Sequence, residues 1–213
     1  MDLIIFDCDG TLVDSEYLCN LALQQQLAEL GIDSDAEELM ALYRGVKLNV
    51  ILTSLESEFD TRFPDSFIPD YRLKVKHLFE QHLKANEGVK DLLASLKVPF
   101  CVASSAPRDK IEQALQVTGL AQYFNGNIFS SYEIDSWKPE PGIFLHAAKK
   151  MNVEPAQCYV VEDSLVGLQA ANGAKMKSVY YAPTLEEKHP LASVQIKHMT
   201  EIINIIKYGQ SKQ

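Results

Sequence analysis

Residues 3–16 read LIIFDCDGTLVDSE: four apolar residues, Leu3 to Phe6, stop at Asp7, and a second acid, Asp9, follows before Gly10 and Thr11. A short unbroken apolar run predicts a strand buried on both faces, as in a parallel sheet. Two like charges at the end of such a strand repel each other and are costly to desolvate. The rest of the chain must supply what offsets them.

From Ser15 the spacing turns helical, with Leu18, Leu21, Ala22, Leu27 and Leu30, and Gly31 as the stop. No strand pattern occurs from there to about Ala85. DAEELMALYRG, LNVILTSLESEF and DYRLKVKHLFEQHL all carry helical periodicity, interrupted at Gly45 and at the turn FPDSFIP. After Asn86 the pattern alternates. GVKDLLASLK, PRDKIEQALQVTG, PGIFLHAAKKM and SLVGLQAANGA read as helices; PFCVASS, NIFSS, CYVVED and KSVYY read as strands. Strands alternating with helices predict a parallel sheet covered on both faces. The expected fold class is therefore α/β, a Rossmann-like core of residues 1–14 and 86–213, with an α-helical cap domain, residues 15–85, inserted after the first strand. Such an insertion is expected at the carboxyl edge of the sheet, where open α/β folds bind ligands.

The bulk properties narrow the function. The formal net charge of −9 argues against a nucleic-acid partner or an anionic membrane surface. No run approaches the ~18 apolar residues of a membrane span. The four cysteines, Cys8, Cys19, Cys101 and Cys158, show neither CxxC nor Cys/His ligand spacing and read as free thiols of a reducing compartment. The expectation is a cytoplasmic protein, monomer or weak dimer, without a targeting signal.

Polar groups recur at the strand ends. The first strand ends in Asp7 and Asp9, PFCVA in Ser104 and Ser105, and YVV in Glu162 and Asp163, while Lys138 stands just before a helix. In a parallel sheet these ends share one edge, so the groups can converge. Carboxylates clustered there suit Mg²⁺, and Lys138 would neutralise more of their charge. Once the repulsion is removed, Asp7 becomes a nucleophile for a phosphate ester, Asp9 an acid/base for the leaving oxygen and water, and Gly10 a point of close backbone approach. Taken singly, each signal is weak. Asp9-Gly10 is commonly a turn, Ser104 commonly ends a strand, and Glu162-Asp163-Ser164 makes a good helix cap.

Together, DCDGTLVDS, VASS, KPEP and VVEDSLVG resemble the four motifs of the haloacid dehalogenase superfamily, in its branch of sugar-phosphate phosphatases and β-phosphoglucomutase-like proteins with a helical cap. The resemblance implies Asp7 as nucleophile, Asp9 as acid/base, and Ser104 and Lys138 as phosphate-binding groups. It implies Mg²⁺ held by Asp7, Asp9, Asp163 and Glu162, and substrate contacts at Gly10, Thr11 and Ser105. Arg44 and Lys47, in the helical insertion, are the expected specificity residues. Cys19 stands where β-phosphoglucomutase carries a histidine that helps hold and activate a sugar hydroxyl, which favours hydrolysis over phosphoryl transfer to a second sugar. FSSYEIDSWKPEPGIFLHAAKKMNV and RGVKL are most similar to the bacterial 6-phosphogluconate phosphatase subgroup. The implied partner is a small phosphate ester, 6-phosphogluconate or a related sugar or sugar-acid phosphate.

Overall fold

The computed structural model describes residues 2–43, 45–185 and 187–210, with side chains described up to residue 206. The chain forms two compact units. One holds the residues up to Val13 and from Ala85 onward; the other is Asp14–Lys84.

The first unit is built on six parallel strands: β1 (Leu3–Phe6), β2 (Phe100–Ser104), β3 (Ile128–Ser130), β4 (Cys158–Glu162), β5 (Lys177–Tyr181) and β6 (Val194–Ile196), in the order β3-β2-β1-β4-β5-β6. The order reverses at β1, so β2 and β4, far apart in sequence, flank it. Ile5 registers with Cys101 on one side and Val160 on the other. All four side chains of β1 are fully buried, as an apolar run with no alternation requires.

Helices α5 (Val89–Ser95), α6 (Arg108–Val117), α7 (Ala121–Phe124), α8 (Gly142–Lys150), α9 (Leu165–Gly173) and α10 (Ile202–Gln210) belong to this unit; α1 to α4 form the other. Leu3 and Ile5 on β1 join Cys101, Ala103, Cys158 and Val160 to make one face of the sheet. Ile143, Phe144, Ala147 and Ala148 of α8 and Ala170 and Ala171 of α9 pack on it. The alanines let both helices come close. On the other face Phe100 stands edge-on to Phe6 at 6.2 Å and to Phe124 of α7 at 5.4 Å.

Among its described residues the second unit is built of the helices α1 (Glu16–Ala28), α2 (Ala36–Tyr43), α3 (Leu48–Glu58) and α4 (Phe67–His82), joined by turns and loops. Leu23, Leu27, Leu39, Ile51, Leu52, Leu55 and Phe67 form its core, and Phe63 stacks on Phe67 with ring centres 4.3 Å apart. α4 begins within FPDSFIP, which the sequence pattern marks as a turn. Pro69 is the third helical residue, where no intrahelical N–H partner is needed. β6 and α10 have no counterpart in the sequence reading. β6 is a three-residue edge strand, too short to display a period.

No helix among the described residues is long and apolar enough to cross a membrane.

Phe67→Ala should remove about 3–5 kcal/mol from the helical unit. Amide hydrogen exchange should lose protection in Asp14–Lys84, while β1, β2 and β4 keep theirs. Uniform loss along the chain would mean that the two units unfold as one.

Candidate active site

The sheet order sets the site. β1 and β4 are neighbours at the point where the order reverses, the place where open α/β sheets bind ligands outside their carboxyl ends. Asp7 extends β1 by one residue, its N–H donating to the Val161 carbonyl at 3.0 Å. Glu162 ends β4 and Asp163 follows it, and all three carboxylates are buried. Ligand oxygens of Asp7, Glu162 and Asp163 lie within 4.8 Å of one another.

Lys138 reaches into this cluster from the segment after β3. Its ammonium donates to Asp7 Oδ1 and to Glu162 Oε1, and only 5% of its side chain is exposed. The nitrogen also lies over the Phe144 ring, 5.1 Å from its centre. Burial pulls the Lys138 pKa down, but Asp7 and Glu162 outweigh it and hold the group above the ordinary lysine value. Burial, opposed by Lys138 and reinforced by Glu162 and Asp163, holds Asp7 well above the usual carboxylate range. Cys8 lies between the two acids of the first motif. Burial and the neighbouring charges of Asp9 and Asp7 push its thiol well above the ordinary cysteine value.

Two glycines make room for the carboxylates. Gly10 has φ +77°, and a Cβ there would lie 2.3 Å from Asp163 Oδ2. The close approach that requires glycine here is therefore made by Asp163. A Cβ on Gly167 in α9 would lie 1.9 Å from the Glu162 carboxyl carbon. Glu162 is held from its other side as well, since Ser164 N–H and hydroxyl donate to Oε2 at 3.0 and 2.9 Å. The Ser164 oxygen in turn accepts from the Gly167 N–H at 3.1 Å, capping α9. Ser164 thus caps α9, as the cap reading expects, while Glu162 and Asp163 stay within the carboxylate cluster.

The other residues singled out in the sequence fall as follows. Asp9 is half-buried and paired with Lys110. Ser104 ends β2, buried, and its oxygen accepts from the Ala106 N–H at 3.1 Å, which leaves the hydroxyl proton available to donate. Ser105 is half-buried beside it. Thr11 is fully buried and its hydroxyl donates to Asp163 Oδ1 at 3.1 Å, so its side chain orients that carboxylate. Lys47 is exposed, at the start of α3 in the helical unit. Arg44 lies outside the described residues.

Three contributors were absent from the sequence reading. Lys110 sits six residues after Ser104 with no motif to mark it. Asn86 donates from Nδ2 to the carbonyls of Gly10 and Thr11 at 2.9 and 2.8 Å, pinning the loop after β1. Gly167 stood inside VVEDSLVG, but only its distance to Glu162 discloses its role.

Asp7, Glu162 and Asp163 set three carboxylates against the one ammonium of Lys138 within the cluster. A buried, oxygen-only donor set with excess negative charge fits a hard divalent cation.

Residues 4–181 match the family described as haloacid dehalogenase-like hydrolase. The chain belongs to that family. This hydrolase is 35% identical over 211 residues to the 6-phosphogluconate phosphatase of Escherichia coli K12, covering 97% of this chain and 95% of that protein. It is 28% identical to a phosphorylated carbohydrates phosphatase of Thermotoga maritima, covering 97% and 99%. Among solved structures, a conserved haloacid dehalogenase-like protein from Agrobacterium tumefaciens superimposes with a TM-score of 0.83 at 31% identity, covering 99% of each chain. The hydrolase is an enzyme of the phosphatase type.

Gly167→Ala should lower the unfolding free energy by about 1–3 kcal/mol through overpacking against Glu162. Gly173→Ala, in the same helix, is the control, because a Cβ there meets Pro141 no closer than 3.6 Å. Urea denaturation of the two variants side by side checks this; equal behaviour would refute the steric role of Gly167.

Proposed function

We propose that this hydrolase removes phosphate from a small sugar or sugar-acid phosphate, with 6-phosphogluconate the first candidate, through an aspartyl-phosphate on Asp7. The observation that carries the reading is the buried cluster of Asp7, Glu162, Asp163 and Lys138 at the point where the strand order reverses. The names of the relatives that match nearly the whole chain support the substrate class. Four free cysteines, three of them buried, support a reducing cytoplasmic setting.

In this reading Asp7, Asp163 and the Asp9 backbone carbonyl, with Glu162 behind them, would hold Mg²⁺, which supplies charge neutralisation for the phosphoryl oxygens. Lys138 and the Ser104 hydroxyl bind and orient the phosphoryl group. A carboxylate oxygen of Asp7 forms the new bond to phosphorus as the bond to the ester oxygen breaks. That oxygen leaves with a proton from the Asp9 carboxyl. Asp9 then takes a proton from water, the water oxygen bonds to phosphorus, and the bond to Asp7 breaks to release phosphate.

Asp7→Asn should keep the fold, read by circular dichroism, and lose turnover, because a neutral amide is a poor nucleophile. Near-normal hydrolysis by this variant would rule out the covalent route. Wild-type kcat/KM across a panel of sugar phosphates with Mg²⁺ should rank 6-phosphogluconate first, and a chelator should abolish activity. Conversion of glucose 1-phosphate to glucose 6-phosphate in bisphosphate-primed assays would favour the phosphotransferase alternative instead.

Lys47 is proposed to select the substrate by charge. One lost charge-assisted hydrogen bond is worth roughly 1.5–3 kcal/mol, so Lys47→Ala should lower kcat/KM for 6-phosphogluconate about ten- to a hundredfold. It should spare para-nitrophenyl phosphate. Equal losses on both esters would assign Lys47 to folding.

A further inference from the structure

Lys110 is the third residue of α6, and its ammonium lies 3.0 and 2.9 Å from the two carboxylate oxygens of Asp9. The side chains are 26% and 22% exposed, so the pair is neither solvated nor deeply buried. It joins the loop after β1 to the helix after β2, 101 residues apart in sequence and adjacent on the same sheet edge.

Two observations separate this contact from an incidental surface ion pair. A cation in the first turn of a helix opposes the helix dipole, which favours acids there. Arg108 opens α6 and is held by Glu133 and Glu112. Lys110, in the same first turn, engages Asp9, an acid outside α6, so this cation serves a group elsewhere in the fold. The second observation is that the loop carrying Asp9 already has its backbone fixed. Asn86 holds the carbonyls of Gly10 and Thr11, and the Gly10 N–H donates to the Val13 carbonyl at 2.9 Å. The freedom left to Asp9 is its side-chain rotation, and Lys110 takes that up by engaging both oxygens.

We propose that Lys110 is a positioning residue that fixes the Asp9 carboxyl in the orientation from which it exchanges a proton with the leaving oxygen. The inference rests on the acid/base role given to Asp9 above. Contact with both oxygens lets one turn to the substrate while the other stays on the ammonium. The proton passes from Asp9 to the ester oxygen as the phosphorus–oxygen bond breaks, and Lys110 neither gives nor takes one.

The test is the dependence of kcat/KM on leaving-group basicity, measured with Mg²⁺ across phosphate monoesters from para-nitrophenyl to phenyl to alkyl. Nitrophenolate leaves without protonation, whereas an alkoxide needs it. Misplacing a catalytic group by about an ångström costs on the order of a hundredfold, so Lys110→Met should lose about ten- to a hundredfold on alkyl esters. It should be nearly unchanged on para-nitrophenyl phosphate, giving a steeper slope. Lys110→Arg should restore most of the loss, and inhibition by inorganic phosphate should be the same in all three proteins. A parallel loss along the series, weakened phosphate inhibition or no loss at all would each overturn the proposal. Asp9→Asn separates the two layers. If it leaves the slope unchanged, the acid/base reading of Asp9 fails; if it steepens the slope while Lys110→Met does not, only the positioning role fails.

Discussion

Lys138 between Asp7 and Glu162 is the contact on which the rest of the site depends. Its ammonium is the charge that lets two acids stand at the ends of adjacent buried strands. Breaking a buried pair by removing one partner typically costs about 3–5 kcal/mol, because an uncompensated charge is left behind. The surroundings are arranged to keep the contact. Phe144 packs beneath the ammonium, Ser164 holds the far oxygen of Glu162, and Gly167 leaves the space its carboxylate fills. Asp163 is fixed by Thr11 on one side and fits against Gly10 on the other.

The same stretch, DCDG, places its two acids in different environments. Asp7 continues the β1 ladder, is buried and touches Lys138. Asp9 lies in the loop, retains partial exposure and touches Lys110. Two residues of separation thus yield one carboxylate buried in a charged cluster and one that keeps partial exposure beside Lys110. Distinct environments for paired carboxylates are how distinct chemical roles arise from identical side chains. Each acid has its own lysine, delivered from a different crossover connection.

The elements of the core were readable because their signals are local. Leu3 to Phe6 announces a strand buried on both faces, and the alternation of strands and helices after Asn86 dictates a parallel sheet. Where the local signal is weak the reading falls short. β6 has three residues, and the start of α4 hides in FPDSFIP because Pro69 looks like a breaker and is tolerated in a first turn.

By itself the sequence marked the polar groups that close its apolar runs: Asp7, Asp9, Ser104, Glu162 and Asp163, with Lys138 just before a helix, stand out because each interrupts or closes a local pattern, and in a parallel sheet the strand ends share an edge. Only the tertiary structure decided how they are divided. The strand order makes β1 and β4 neighbours, which brings Asp7 to Glu162 and Asp163. It gives Asp9 to Lys110, turns Thr11 inward to Asp163, sets Asn86 on the loop carbonyls, and makes Gly10 and Gly167 necessary by distances to carboxylates about 150 and five residues away in the chain, respectively. The physical reason is that local periodicity reports which face or end of an element a residue occupies, while the partner that neutralises or crowds it is chosen by strand order and packing, which no local pattern encodes.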